Sequence, residues 1–213
     1  MKKSILVLTS VLCFTLTFAN GQFEKAMGKN IPSIFQAKDK ETLQSSINQL
    51  NRIGEAEENR WEPHYYVAFG YLRMMTMSEG AEKQDAYLDQ ALTAIENAES
   101  IESNNSELVA LRGYVHMMRV TVDPATRGMQ YSGMAFNDFN KAVQLNPENP
   151  RAHYLLGQMQ YGTAQFMGGG DGGACESFHN AKKLFDAKGD AQSIAPSWGA
   201  GENEGVIAQL CKG

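Results

Sequence analysis

The sequence has little of what nucleic acids, anionic membranes and metals demand. Lysine and arginine together number 19 against 24 aspartates and glutamates, a formal charge of −5. Contacts to phosphate backbones and to anionic lipid surfaces both need clustered Lys and Arg, so this balance argues against a nucleic-acid partner. After the N-terminal leader no stretch approaches the roughly 20 apolar residues of a membrane span, so the mature protein is expected to be soluble, with no membrane insertion. No metal-binding motif, no nucleophile paired with a base and no distinctive carboxylate pair is present, so no catalytic residue, metal ligand set or cofactor is expected. Period-two patterning is missing as well, which places the chain in the all-α class.

What is present begins with export. Met1, Lys2 and Lys3 precede a mostly apolar run from Ile5 to Phe18, the pattern of a charged leader followed by a hydrophobic segment too short to cross a bilayer. Residues 1–21 read as a signal peptide. Ala19 and Gly21 suit the small positions of a cleavage site before Gln22, with cleavage after Ala19 as the alternative. Loss of Lys2 and Lys3 takes the formal charge from −5 to −7. Cys13 follows Leu12 inside the apolar run and is discarded with it. A periplasmic or secreted location follows, and there Cys175 and Cys211 are an even pair able to form one disulfide. The alternative is two unpaired thiols packed as small apolar residues.

Residues 22–60 read as an N-terminal helical segment. Leu43, Ile47, Leu50 and Ile53 share one helical face, and Glu55-Ala56-Glu57-Glu58 reads as a solvated helix end. Phe23 to Ala37 is expected to form a short helix that Pro32 kinks or ends.

The remainder repeats itself. Ala135, Phe139, Ala142 and Pro147 are spaced by four, three and five residues. The spacing recurs at Ala91, Ile95, Ala98 and Ser103, and again at Ala174, Phe178, Ala181 and Asp186. Phe69-Gly70, Arg112-Gly113 and Leu156-Gly157 occupy matching places in the segments before them, and small residues there let two antiparallel helices approach. Asn149 and Pro150 suit the start of a further helix. On these residues the chain resembles the tetratricopeptide-repeat family, and in particular exported members from Gram-negative bacteria. The resemblance covers Glu62 to Lys188 and implies a right-handed superhelical stack of about three hairpins, at 61–104, 105–149 and 150–188. The aromatic expected early in each first helix is Tyr66, Val109 and His153, and the usual Leu before the glycine is Arg112 in the middle repeat. Each repeat exceeds the family's usual length, so long inter-helix loops are expected at Ser78–Asp85, Val122–Ser132 and Met167–Gly173. Residues 189–213 are expected to supply a C-terminal capping helix. A Cys175–Cys211 bridge would staple it, adding about 3 to 4 kcal/mol by the chain-entropy estimate.

The resemblance implies a groove lined by the first helices: His64, Val67, Tyr71, Met74 and Met75, then Glu107, Ala110, Tyr114, Met117 and Met118, then Arg151, Tyr154, Gln158 and Tyr161. Tyrosine brings contact area with a polar handle and methionine adapts its shape, which suits a protein or peptide segment with apolar side chains. A covering N-terminal segment, or simple packing between helices, would account for the same residues. Two sharper readings are weaker. Cys175 and His179 share a helix face but make only two ligands, and Gly168–Gly173 lacks the endings of a phosphate or calcium loop. His64, His116 and the methionines as soft copper ligands are likewise better explained by packing. The sequence therefore reads as an exported, non-enzymatic binding scaffold. The rival is a small-ligand or metal binder, or an enzyme, with its site beside the long loops near Asp123, Asp171 and His179.

Overall fold

The computed structural model describes residues 21–188 and 194–211. The signal peptide expected at 1–21, with Cys13, lies outside the described residues except for Gly21. The described residues contain helices and no strand. Helix α1 covers residues 21–36. It is followed by α2 Lys40–Ala56, α3 Glu62–Thr76, α4 Ala81–Ile101, α5 Ser106–Val122, α6 Pro124–Leu145, α7 Pro150–Met167, α8 Ala174–Lys188 and α9 Ala200–Leu210. Pairs α3–α4, α5–α6 and α7–α8 form hairpins that stack in chain order through α4–α5 and α6–α7, with α2 on α3 at one end and α9 on α8 at the other. The first helices also touch in sequence, α3 on α5 and α5 on α7. They make one continuous face.

Each boundary has a local cause. The side chains of Asp39, Asn105, Asp123 and Asn149 accept from backbone amides in the first turns of α2, α5, α6 and α7, satisfying donors that a helix start leaves unpaired. Asn149 does more than cap. Its side-chain amide donates to the Ser106 hydroxyl at 2.9 Å, and that hydroxyl donates to the Ala142 carbonyl at 2.8 Å. The turn between the second and third hairpins is thereby tied to the start of α5.

The hairpins close through glycine. A β-carbon placed on Gly113 would lie 2.5 Å from the Phe139 ring, and one on Gly157 would lie 2.6 Å from the Phe178 ring. In both hairpins the aromatic of the second helix rests on the bare backbone of the first. Gly70 takes a different neighbour, because its missing β-carbon is filled by Ile47 of α2 and Ile34 of α1. The first hairpin is accordingly packed against the N-terminal helices as much as against its own second helix.

Two expectations are corrected. The surplus residues of the first two repeats lengthen helices and not loops: 81–85 form the first turn of α4, and 124–132 the first turns of α6. Asp123 and Pro124 explain the second case, since an N-cap acid followed by proline at the first helical position starts a helix at once. Residues 77–80 keep a short connection between α3 and α4, and 168–173 form a loop with positive φ at each of its glycines. Of the two outcomes expected at Pro32, the end of the helix is the one overturned, since α1 continues to residue 36. Gly28 and Pro32 are both exposed, so the carbonyl that loses its donor faces water and the interruption costs little.

Arg112, the departure from the family pattern, sits in a polar seam between α4, α5 and α6. It donates to Asp138 at 2.8 and 3.2 Å and to Glu99 at 2.6 Å, while the His116 ring nitrogen lies 2.8 Å from the other Asp138 oxygen. Burial pushes the Asp138 carboxyl up, but its hydrogen bonds to His116 and Arg112 outweigh this and hold it below the usual range. Lower in the same seam Arg119 pairs with Asp85 and Asp89, and Arg127 pairs with Asp85.

The glycine contacts give a paired test. Gly113→Val should cost about 2–3 kcal/mol by overpacking against Phe139. Gly128→Ala, at a helical position with open space around it, should gain about 0.5–1 kcal/mol. Urea unfolding followed by circular dichroism measures both, and equal midpoints would contradict the packing described.

Candidate functional site

The face made by α3, α5 and α7 is not an open channel. Residues 194–199, Ile-Ala-Pro-Ser-Trp-Gly, lie across it on their way from α8 to α9. Trp198 spans two helices, with ring centroids 5.0 Å from Phe69 of α3 and 6.1 Å from Tyr114 of α5. Its indole N–H donates to the Tyr65 hydroxyl at 2.8 Å. The Tyr66 hydroxyl lies 3.1 Å from the carbonyl oxygens of both Ile194 and Ala195, which share its one proton. Arg151 of α7 donates to the Trp198 carbonyl at 3.3 Å. All three first helices therefore hold the segment.

Backbone geometry fixes where it ends. Gly199 has φ +105°, and a β-carbon there would lie 2.9 Å from the Phe185 ring and 3.6 Å from the Arg151 side chain. Only glycine meets both constraints. The chain then enters α9, which Cys175 and Cys211 bond covalently to α8 and which Asn203 ties to the Phe178 carbonyl at 3.0 Å.

The electrostatics of the face are set by one buried pair. Arg151, 2% exposed, reaches Glu107 with two hydrogen bonds of 2.7 and 2.5 Å. Burial pulls the guanidinium down, but the hydrogen bonds and charge of Glu107 leave it above its ordinary value. The phenols beside it are held protonated. Burial first, and then the Glu107 charge, lifts Tyr65 well above its usual value; burial also raises Tyr66, and pushes Tyr114 up to about 12. Tyr66 thus remains a hydrogen-bond donor at neutral pH.

Of the groove residues expected from the resemblance, Val67, Met74, Met75, Ala110, Arg151 and Tyr154 are buried, while His64, Tyr71, Glu107, Tyr114, Met117, Met118, Gln158 and Tyr161 are half-buried. The structure brings Glu107, Tyr114 and Arg151 together under Trp198. In the first hairpin the expected residues turn toward neighbouring helices: His64 fills the space over Gly54 of α2, and Tyr71 stacks on Tyr87 of α4 with centroids 6.3 Å apart. Tyr65, Tyr66 and Phe69 take their place on the face. Tyr154 lies 6.2 Å from Phe178 and accepts from Gln158 at 3.0 Å. The N-terminal helix covers part of the same region, with Phe35 5.1 Å from Phe69 and Arg73 bonded to the Ile34 and Ala37 carbonyls. Sequence reasoning missed Trp198; the signal for it was a lone Trp-Gly step after Pro196, outside any helical period.

The rival loop site has no assembled geometry. Asp123 caps α6 through Thr126, Asp171 accepts from Gly173 and Cys175 amides at 3.3 Å each, and His179 lies 2.6 Å from the Cys175 carbonyl. Cys175 is in the disulfide. Among the described residues no group of three or more His, Cys, Asp or Glu is placed to hold a metal ion. Three exposed apolar side chains stand near these loops: Met129 is 93% exposed, and Phe166 and Met167 are 80% exposed each. Helices α6 and α7 run antiparallel from the short turn at 146–149, which brings these three side chains to the same end of the stack.

No family model and no curated protein matches the chain. Solved structures do. The HusA haemophore from Porphyromonas gingivalis superposes with a TM-score of 0.78 at 23% identity, over 89% of this chain and 92% of that one. TTC0263, a thermophilic TPR protein of Thermus thermophilus, gives 0.52 at 15% identity over 92% and 94%. At such identities the likeness is one of fold, and the fold is the tetratricopeptide-type stack of helical hairpins.

Proposed function

We propose that this chain is an exported, non-catalytic binding scaffold that takes a protein or peptide segment on the face of α3, α5 and α7. The observation that carries the reading is that this face already holds a non-helical stretch of polypeptide, residues 194–199, through aromatic contacts and bonds to its carbonyls. Solenoid folds put their binding surfaces on such faces. Half-buried Met117, Met118, Gln158 and Tyr161 continue the surface beyond Trp198, and their apolar, adaptable side chains suit an apolar partner. The Cys175–Cys211 bond fits an oxidising compartment and so supports export.

The test is direct. Peptides selected on the immobilised wild-type protein should bind a Met117→Ala/Tyr161→Ala variant at least about tenfold more weakly, a loss of about 1.4 kcal/mol, with helix content unchanged. Unaltered affinity would remove this surface from consideration.

A second reading is favoured by the exposed edge of Met129, Phe166 and Met167 together with the whole-length likeness to a haemophore. A flat macrocycle such as haem, carried as cargo, would find apolar and sulfur contacts there. Titration with haemin, read by the Soret band, should then saturate, and Met129→Ala/Phe166→Ala/Met167→Ala should weaken binding by about tenfold or more. A flat titration, or one indifferent to the triple change, would eliminate that edge as a haem site.

A further inference from the structure

Segment 194–199 is held in a way that differs from a core element. A buried strand or helix satisfies its own polar backbone through regular structure. Here two side chains of the repeat stack do it from outside, Tyr66 with one proton shared between the carbonyls of Ile194 and Ala195 and Arg151 for that of Trp198, while Tyr65 accepts from the indole N–H. The ring itself sits against Phe69 and Tyr114. Arg151 and Glu107 form a buried ion pair whose desolvation is expensive, and one guanidinium nitrogen is left to read a carbonyl. Aromatic anchor, read carbonyls and a required small residue are the features of peptide capture.

We propose that the face of α3, α5 and α7 is a recognition site for a non-helical segment bearing an indole followed by a glycine, and that residues 194–199 are the chain's own competing occupant. The inference rests on the reading of this face as the binding surface, and adds the partner's chemistry and its control. A partner must offer a planar aromatic with an N–H donor for Tyr65, free backbone carbonyls on the residues before it, and no β-carbon after it, because Phe185 closes that position. Tethering sets the competition. The strap is continuous with α9, and α9 is bonded to α8 through Cys175–Cys211, so its local concentration at the face is high and an untethered partner is disfavoured. Breaking the disulfide, or removing the anchor ring, lowers that advantage.

The probe is a fluorophore-labelled, end-blocked peptide of residues 194–199. It should bind full-length Trp198→Ala at least about tenfold more tightly than disulfide-intact wild type, because apparent affinity scales with the fraction of molecules whose face is empty. Trp198→Phe, which keeps a ring between Phe69 and Tyr114, should stay closer to wild type. Circular dichroism checks that helix content is native. If Trp198→Ala lacks it, wild type with the disulfide reduced takes its place under the same criterion. Equal affinity for the filled and emptied proteins, or no binding to a natively helical emptied protein, overturns the proposal. So does a dimer formed on emptying the face, which would make a second copy's strap the occupant. Selected peptides that still depend on Met117 and Tyr161 while the strap peptide fails would sink this inference alone and leave the binding surface standing.

Discussion

The stack depends on a side-chain ring pressed against a helix that has no side chain there. At Gly113 and Gly157 the rings of Phe139 and Phe178 occupy the volume where a β-carbon would be, and the two helices of each hairpin come as close as their backbones permit. Close-packed interiors give no slack to absorb even a methyl group. Helix spacing inside a hairpin fixes the angle at which the next hairpin docks, so these contacts also set how α3, α5 and α7 line up into one face. The first hairpin, where Gly70 is filled by Ile47 and Ile34, leans on α1 and α2 instead. That shift explains why its face carries Tyr65 and Phe69 where the later repeats use other positions.

Arg112 shows how the pattern can be broken without breaking the fold. An apolar residue would pack at this place; a cation is tolerated because Asp138 and Glu99 meet it from the helices on either side. Asp138 itself stands where the other second helices carry Ala94 and Ser177, so the two departures are halves of one substitution of ionic for apolar packing. Such a seam contributes little net stability over an apolar one, but each member becomes costly to remove alone.

The strap and the disulfide belong together. Trp198 and Gly199 seat the chain on the first helices, and the covalent link from Cys211 to Cys175 holds α9 where it must be for that seat to be reached. An end cap usually shields the last apolar face of a solenoid. Here α9 does so while the residues leading into it turn back over the face of α3, α5 and α7, which makes the cap and the strap a single element. The exposed side chains of Met129, Phe166 and Met167 stand at the end of the stack opposite the short 146–149 turn, the end at which Cys175 opens α8.

The helical class, the hairpin periodicity, the caps at Asn149 and Pro150 and the pairing of Cys175 with Cys211 were legible from sequence, because each rests on local spacing or on there being one partner available. Loop lengths in the first two repeats were not, since a repeat longer than its family's says nothing about whether the surplus coils or extends a helix; local caps such as Asp123 decide that. The packing of the first hairpin's expected groove residues against α2 and α4 was also hidden. A carried-over register assumes that every hairpin docks alike, and Gly70 docks differently. Only tertiary structure could show that Trp198 fills the groove, because its contacts reach Tyr65 from 133 positions away, and no periodicity links residues that far apart.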